Sequence, residues 1–99
     1  MNTFHVIRYT VRPDAVAENS RLVGSVYREL ADRRPADFRY ATLLVGGGAF
    51  LHLAVTEGTG PAPLLALPAF QAFQRDLGDR VTAPPTRGDA VVVGNYGLL

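Results

Sequence analysis

The polar–apolar pattern changes period along the chain. Between residues 4 and 11 β-branched and aromatic side chains predominate, and the run stops at Arg12-Pro13, which predicts a strand. Pro13 suits the first turn of a helix, where a missing N–H is no loss. From there Val16, Leu22, Val23, Val26, Tyr27, Leu30 and Ala31 recur at helical spacing, with Glu18, Arg21, Ser25, Arg28, Glu29 and Asp32 on the opposite face. Glu29 precedes Arg33 by one helical turn, the favourable order for an acid–base pair, and Pro35 closes the helix. Strands over 38–45 and 50–57 flank Gly46, Gly47 and Gly48, a hairpin signal because glycine accepts positive φ. Residues 58–63 read as a loop and 64–67 as a single turn. Pro68 then starts a helix with Phe70, Phe73 and Leu77 inward and Gln71, Gln74 and Arg75 outward, ending near Gly78. After Pro84-Pro85 a last strand is expected over 89–96, carrying Val91, Val92 and Val93.

The order β-α-β-β-α-β predicts an α+β, ferredoxin-like domain: one four-stranded antiparallel sheet with both helices on one face. An antiparallel sheet with one wet face alternates apolar and polar residues. Here Leu43-Leu44-Val45, Phe50-Leu51-His52-Leu53-Ala54-Val55 and Val91-Val92-Val93 are apolar on both sides. Two helices cover one face only, so a second copy is the simplest cover for the other, and a homodimer through the sheet face is expected, closing into a barrel.

Composition narrows the chemistry. The 99 residues make one domain, 1–99, and 47% hydrophobic with 19% charged residues is an ordinary globular balance. No apolar run approaches the ~18 residues of a membrane span, and the opening residues, with His5 and Arg8 in alternation, do not read as a secretory leader; a cytoplasmic location is the expectation. Cysteine is absent, which excludes thiolate nucleophiles, disulfides and Cys-ligated metals. All cations are Arg and none is Lys, so Schiff-base chemistry has no anchor. With a net charge of +1 and no basic stripe, neither nucleic acid nor a membrane is an expected partner.

Few residues are left to carry chemistry. His52, mid-strand among apolar neighbours, reads either as a general base or single metal or haem ligand, or as a packed histidine with its ring satisfied. Strand parity puts it with Phe50, Ala54 and Thr56, opposite Leu51, Leu53 and Val55. His5 shares a face with Ile7, Tyr9 and Val11 and reads as an exposed edge histidine. With two histidines on different strands and no H-x-H or H-x-x-E spacing, no metal site is expected. Tyr9, Tyr27, Tyr40 and Tyr96 either converge on a polar-aromatic cavity or pack at layer edges. Arg39, beside Tyr40, either binds a substrate carboxylate or phenolate or faces solvent. Phe70 and Phe73, three apart on a helix, read as core. The triple glycine lacks the lysine and following helix of a phosphate loop.

The element order, the length, the stretch Leu67-Pro68-Ala69-Phe70-Gln71-Ala72-Phe73 and the opening strand running into Arg12-Pro13-Asp14 resemble the dimeric α/β-barrel superfamily of antibiotic-biosynthesis-monooxygenase-like proteins. That resemblance implies a pocket between helices and sheet, with Ile7, Tyr9 and His52 on its side. Its characterised members include cofactor-independent oxygenases of polycyclic phenols, quinol oxygenases, haem-degrading enzymes and polyketide-tailoring proteins. Haem-degrading relatives carry Asn, Trp and His where this chain has Ile7, Thr56 and about Gln74. The wider family often has a histidine at the start of the second helix, where this chain reads Leu67-Pro68-Ala69. The resemblance therefore implies an enzyme, a monooxygenase or a related cyclase or isomerase, acting on a small aromatic or polyketide-like molecule without cofactor, metal or flavin. His52, Tyr9 and Tyr40 would be catalytic, and Arg39, Tyr27, Ile7, Phe73 and Tyr96 would contact substrate. The alternative is a non-catalytic dimer that binds a small hydrophobic ligand or serves as a scaffold.

Overall fold

A computed structural model describes residues 2–57 and 63–99; the loop expected over 58–63 lies outside them except for Pro63. The chain runs β1 (Asn2–Thr10), a 3-10 turn (Pro13–Ala15), α1 (Val16–Arg33), β2 (Phe38–Val45) and β3 (Ala49–Glu57). A second 3-10 turn (Pro63–Ala66), α2 (Pro68–Arg75), α3 (Leu77–Arg80) and β4 (Thr86–Ala90) follow. The four strands form one antiparallel sheet in the order β2-β3-β1-β4, the ferredoxin-like arrangement that the pattern predicts.

The helices dock on the face that carries Ile7, Tyr9, Tyr40, Phe50 and His52. Val23 and Val26 of α1 and Phe70, Phe73 and Leu77 from the α2–α3 region bury against Tyr9, Val11 and Phe50. Local devices hold the layers in register. Arg34 takes a left-handed conformation (φ 47°) and returns its N–H to Leu30 O, which ends α1. At the β2–β3 turn Gly46 has φ +63°, and a Cβ on Gly48 would meet Val11 O at 3.2 Å, so both positions favour glycine. No side chain of α2 or its flank caps the start of that helix. Glu29 of α1 does so instead, its Oε1 accepting from Ala69 N–H at 3.1 Å while its Oε2 stands 4.0 Å from Arg33.

Two expectations are corrected. The second helix stops at Arg75; a break at Asp76 (φ −116°, ψ 19°) separates it from a short α3 that carries Arg80. The last strand is Thr86–Ala90, earlier than expected, and Val91–Val93 lie beyond it. The β1–β4 ladder ends at the Phe4–Ala90 pair. Val91 and Val93 are consequently exposed (87% and 99%), and Tyr96 is fully so. Among the described residues no helix is long and apolar enough to cross a membrane.

The Glu29 cap links the two main helices. Glu29→Ala should lower unfolding stability by about 1 kcal/mol, and Glu29→Gln, which keeps an acceptor, by less. Urea-induced unfolding followed by circular dichroism checks the ranking.

Candidate active site

Pairing across the sheet sets side-chain rows on the helix-facing side. Ile7 pairs with His52 and His52 with Thr42; one row along, His5 pairs with Ala54 and Ala54 with Tyr40; then come Thr3, Thr56 and Phe38. In the middle row a single methyl separates His5 from Tyr40, whose Cα atoms are two strand spacings apart, roughly 10 Å. That gap is the floor of a cavity of about 280 Å³, close to the lower end of the range for small-molecule sites. Ile7, Tyr40, His52, Ala54 and Thr56 line its base, Leu64, Leu65, Phe70 and Gln74 its roof, and His5 and Arg87 also face it.

Behind the cavity a hydrogen-bonded chain crosses the interior. Tyr40 Oη and Thr42 Oγ1 lie 2.7 and 2.9 Å from His52 Nδ1, and Tyr9 Oη lies 2.7 Å from His52 Nε2. Asn19 Nδ2 donates to Tyr9 Oη at 3.0 Å, and Arg80 Nε donates to Asn19 Oδ1 at 2.9 Å. The other end continues through Thr42 to the Tyr27 hydroxyl, 2.8 Å away. Asn19, His52 and Arg80 are 0%, 3% and 5% exposed, yet no buried side-chain polar atom among the described residues lacks a partner. The Arg80 guanidinium pairs with no carboxylate among those residues. Its charge rests instead on two carbonyl dipoles, Asn19 and Phe73 (2.7 Å, in the last turn of α2), and on the face of the Phe73 ring, 5.4 Å away.

Burial sets the protonation states. It pulls His52 down from 6.5 to about 4, so the imidazole is neutral at pH 7. It pushes Tyr9 up to about 12, against the opposing Asn19 hydrogen bond and Arg80 charge. Tyr40 is raised as well, first by burial and then by the neighbouring Tyr27. The inner wall is therefore a set of neutral hydroxyls around a neutral imidazole. At the mouth, His5 Nδ1 stands 3.1 Å from Asp89 Oδ1, which orients the ring and leaves Nε2 available. Among the described residues no three metal-ligating side chains converge.

No family model and no curated protein matches the chain. Solved structures do. Rv0793 from Mycobacterium tuberculosis is 15% identical at a TM-score of 0.72, with 98% of this chain and 100% of that one covered. A protein described as an antibiotic biosynthesis monooxygenase is 15% identical at 0.70, covering 95% and 100%. SnoaB, a cofactor-independent oxygenase from Streptomyces nogalater, is 20% identical at 0.64, covering 97% of each chain. The chain has the fold of the antibiotic biosynthesis monooxygenase-like proteins.

Within this monooxygenase-like fold the expected site residues separate into three groups. Ile7, Tyr40 and His52 line the cavity. Tyr9, Tyr27 and Phe73 stand behind it: Tyr9 and Phe73 pack on the His52 ring at centroid distances of 5.3 and 5.6 Å, and Tyr27 stacks on Tyr40 at 5.4 Å. Arg39 and Tyr96 are elsewhere. Arg39 alternates with Tyr40 and so projects from the opposite face of the sheet, toward Val55, Leu98 and Leu99. Tyr96 lies past the end of β4 in solvent. His5, near the start of β1, is exposed as expected, with 42% of its side chain open to solvent, and on this inner strand it also lies at the rim of the cavity. Asn19, Thr42 and Arg80 were not anticipated. Asn19 did leave a signal: it sits three residues after Val16 and four before Val23, a polar side chain inside the apolar stripe of α1.

The low value for His52 has a measurable consequence. Unfolded, the ring takes up a proton near pH 6.5; folded, only near pH 4. Between those values the unfolded state binds more protons, so stability falls as the pH is lowered through the window, by up to roughly 3 kcal/mol from this group. Urea unfolding at intervals from pH 7 to 4 should show that slope, and His52→Gln should flatten it relative to wild type.

Proposed function

We propose that the protein is an oxygenase of small phenolic aromatics, of the polycyclic or polyketide kind, that works without metal or flavin. One observation carries this reading: a neutral, hydroxyl-ringed imidazole forms the inner wall of an apolar cavity floored by Ala54. Similarity in fold to SnoaB, a cofactor-independent oxygenase, supports it. The ring system lies over Ala54, between His5 and Tyr40, against Ile7, Leu64 and Phe70. Both nitrogens of His52 are occupied by protein partners, so His52 acts on the ligand through the Tyr40 hydroxyl. The proton of the phenol passes to His5, whose ring Asp89 orients. The resulting anion is rich enough in electrons to reduce dioxygen directly. In the balanced reaction one oxygen atom enters a ring carbon and the other leaves as water, and the phenol O–H and a ring C–H are replaced by the two carbonyls of a quinone.

Two copies complete the assembly in this reading. Val6, Ala41, Leu43, Leu51 and Leu53 project from the face that the helices leave open, with Leu43 55% exposed. A second copy of the chain covers them, and the cytoplasm is its setting. A second functional reading, a ligand-binding or scaffolding dimer without turnover, is favoured by the same closure of His52 onto protein partners.

Tyr40→Phe should lower the rate of oxygen consumption with anthrone-type phenols on the order of 100-fold. Binding of the corresponding quinone, followed by fluorescence, should weaken only a few-fold. A wild-type protein that binds these compounds but consumes no oxygen would establish the binding reading instead. Ala54→Phe, which fills the floor, should abolish binding of both phenol and quinone while the far-ultraviolet spectrum is retained. Light scattering should give twice the 10.7 kDa chain mass, and Leu53→Arg should return it to the single-chain value.

A further inference from the structure

The polar chain behind the cavity has a direction, and Arg80 sets it. A guanidinium only donates, so the Asn19 atom 2.9 Å from Arg80 Nε is the carbonyl Oδ1, and the amide Nδ2 is left to face Tyr9. Nδ2 also only donates, so at that contact Tyr9 Oη accepts. The Tyr9 proton then has one remaining partner, His52 Nε2 at 2.7 Å, which must be the unprotonated nitrogen of a neutral ring. The ring proton is therefore on Nδ1, pointing at Tyr40 Oη and Thr42 Oγ1. The Nδ1–H is shared between the Tyr40 and Thr42 oxygens, which leaves the proton of Tyr40, a residue that lines the cavity, to be donated elsewhere.

The reverse order is closed off. If Nε2 carried the proton, Tyr9 Oη would face donors from both His52 and Asn19, leaving its own proton without an acceptor in a dry interior. Rotating the Asn19 amide to relieve this would set Nδ2 against Arg80. Each arrangement strands buried donors, which a dry interior disfavours more strongly than it favours a made hydrogen bond.

We infer that Arg80 is a positioning residue which, through Asn19 and Tyr9, holds His52 as the Nδ1–H tautomer, so that Tyr40 meets the ligand as a hydrogen-bond donor. The inner end of the cavity then selects an acceptor oxygen, a carbonyl or a phenolate, in place of a neutral O–H. Resting on the oxygenase reading, this deepens it: the substrate is a conjugated phenol–ketone, deprotonated at the His5 end, whose negative charge develops on the oxygen held by Tyr40.

The tautomer can be read in the ligand-free protein, independently of any turnover. Long-range proton–nitrogen NMR of uniformly 15N-labelled protein at pH 7 distinguishes protonated from unprotonated ring nitrogens. With two histidines in the chain, the His5→Gln spectrum assigns the His52 signals. The expected result is a proton on Nδ1 and none on Nε2; a proton on Nε2, or averaging between the two forms, overturns the inference whether or not the protein is an oxygenase. Asn19→Asp is the directional variant. Its carboxylate still accepts from Arg80 but also accepts from Tyr9, which reverses the chain, so His52 Nε2 should gain a proton. If the folded variant keeps Nε2 unprotonated, Asn19 does not transmit the order. Should the variant fail to fold, the wild-type spectrum alone decides.

Discussion

A buried cation without a carboxylate organises the interior of this protein. Arg80 is taken out of water and held by two carbonyl dipoles and a ring face. Every polar group it touches must in turn be partnered, because an unpaired donor or acceptor in a dry core is more costly than a hydrogen bond is stabilising. That requirement propagates from α3 through Asn19 of α1, Tyr9 of β1 and His52 of β3 to Tyr40 and Thr42 of β2. It ends on Tyr27, back on α1. The chain thus fastens both helical layers to three adjacent strands. It is also the only buried side-chain hydrogen-bond network seen among the described residues, which makes it the element that fixes how the layers sit.

The cavity depends on the same arrangement. Its inner wall consists of side chains whose rotamers are locked by partners on two sides, on strands rather than loops, the condition for a site that holds its geometry before a ligand arrives. Phe73 wedges against both Tyr9 and His52 from the helix side, and Tyr27 against Tyr40, so the polar row is clamped by aromatic contacts as well. Only Ala54, with its single methyl, leaves room in the row. The apolar roof from Leu64 to Phe70 comes from the segment that Glu29 anchors at the start of α2, and this ties the shape of the pocket to helix capping at a distance.

The opposite face of the sheet follows a simpler physics. Two helices cover one face of four strands, and on the other the alternate positions of β2 and β3 are mostly aliphatic, with Val91–Val93 adding an apolar stretch outside the strands. The tail near Leu98 and Leu99 approaches part of this face, beside Leu51, Leu53 and Val55, and leaves the rest open.

Periodicity alone carried the architecture. The stripe from Val16 to Ala31, the alternation around His5 and Tyr9, and the glycine turn are local signals, set by backbone geometry within a few residues, and they were enough to place the first helix and three strands, though not the bounds of the fourth. The same parity put Ile7 with Tyr9 and His52 with Phe50; that the two pairs share a face was implied by the family resemblance. What lay outside reach was register and partnership. Whether Val91 pairs or projects depends on where the β1–β4 ladder stops, and whether His5 also meets a cavity depends on which strands flank β1. Nothing in the sequence set Arg80 apart among ten arginines, because its interior placement requires Asn19 and Phe73, distant by 61 and 7 residues, to supply its acceptors. Local chain statistics encode which face a side chain takes; which buried polar groups satisfy one another is settled only when the strands are aligned, because hydrogen bonding is short-ranged in space and indifferent to distance along the chain.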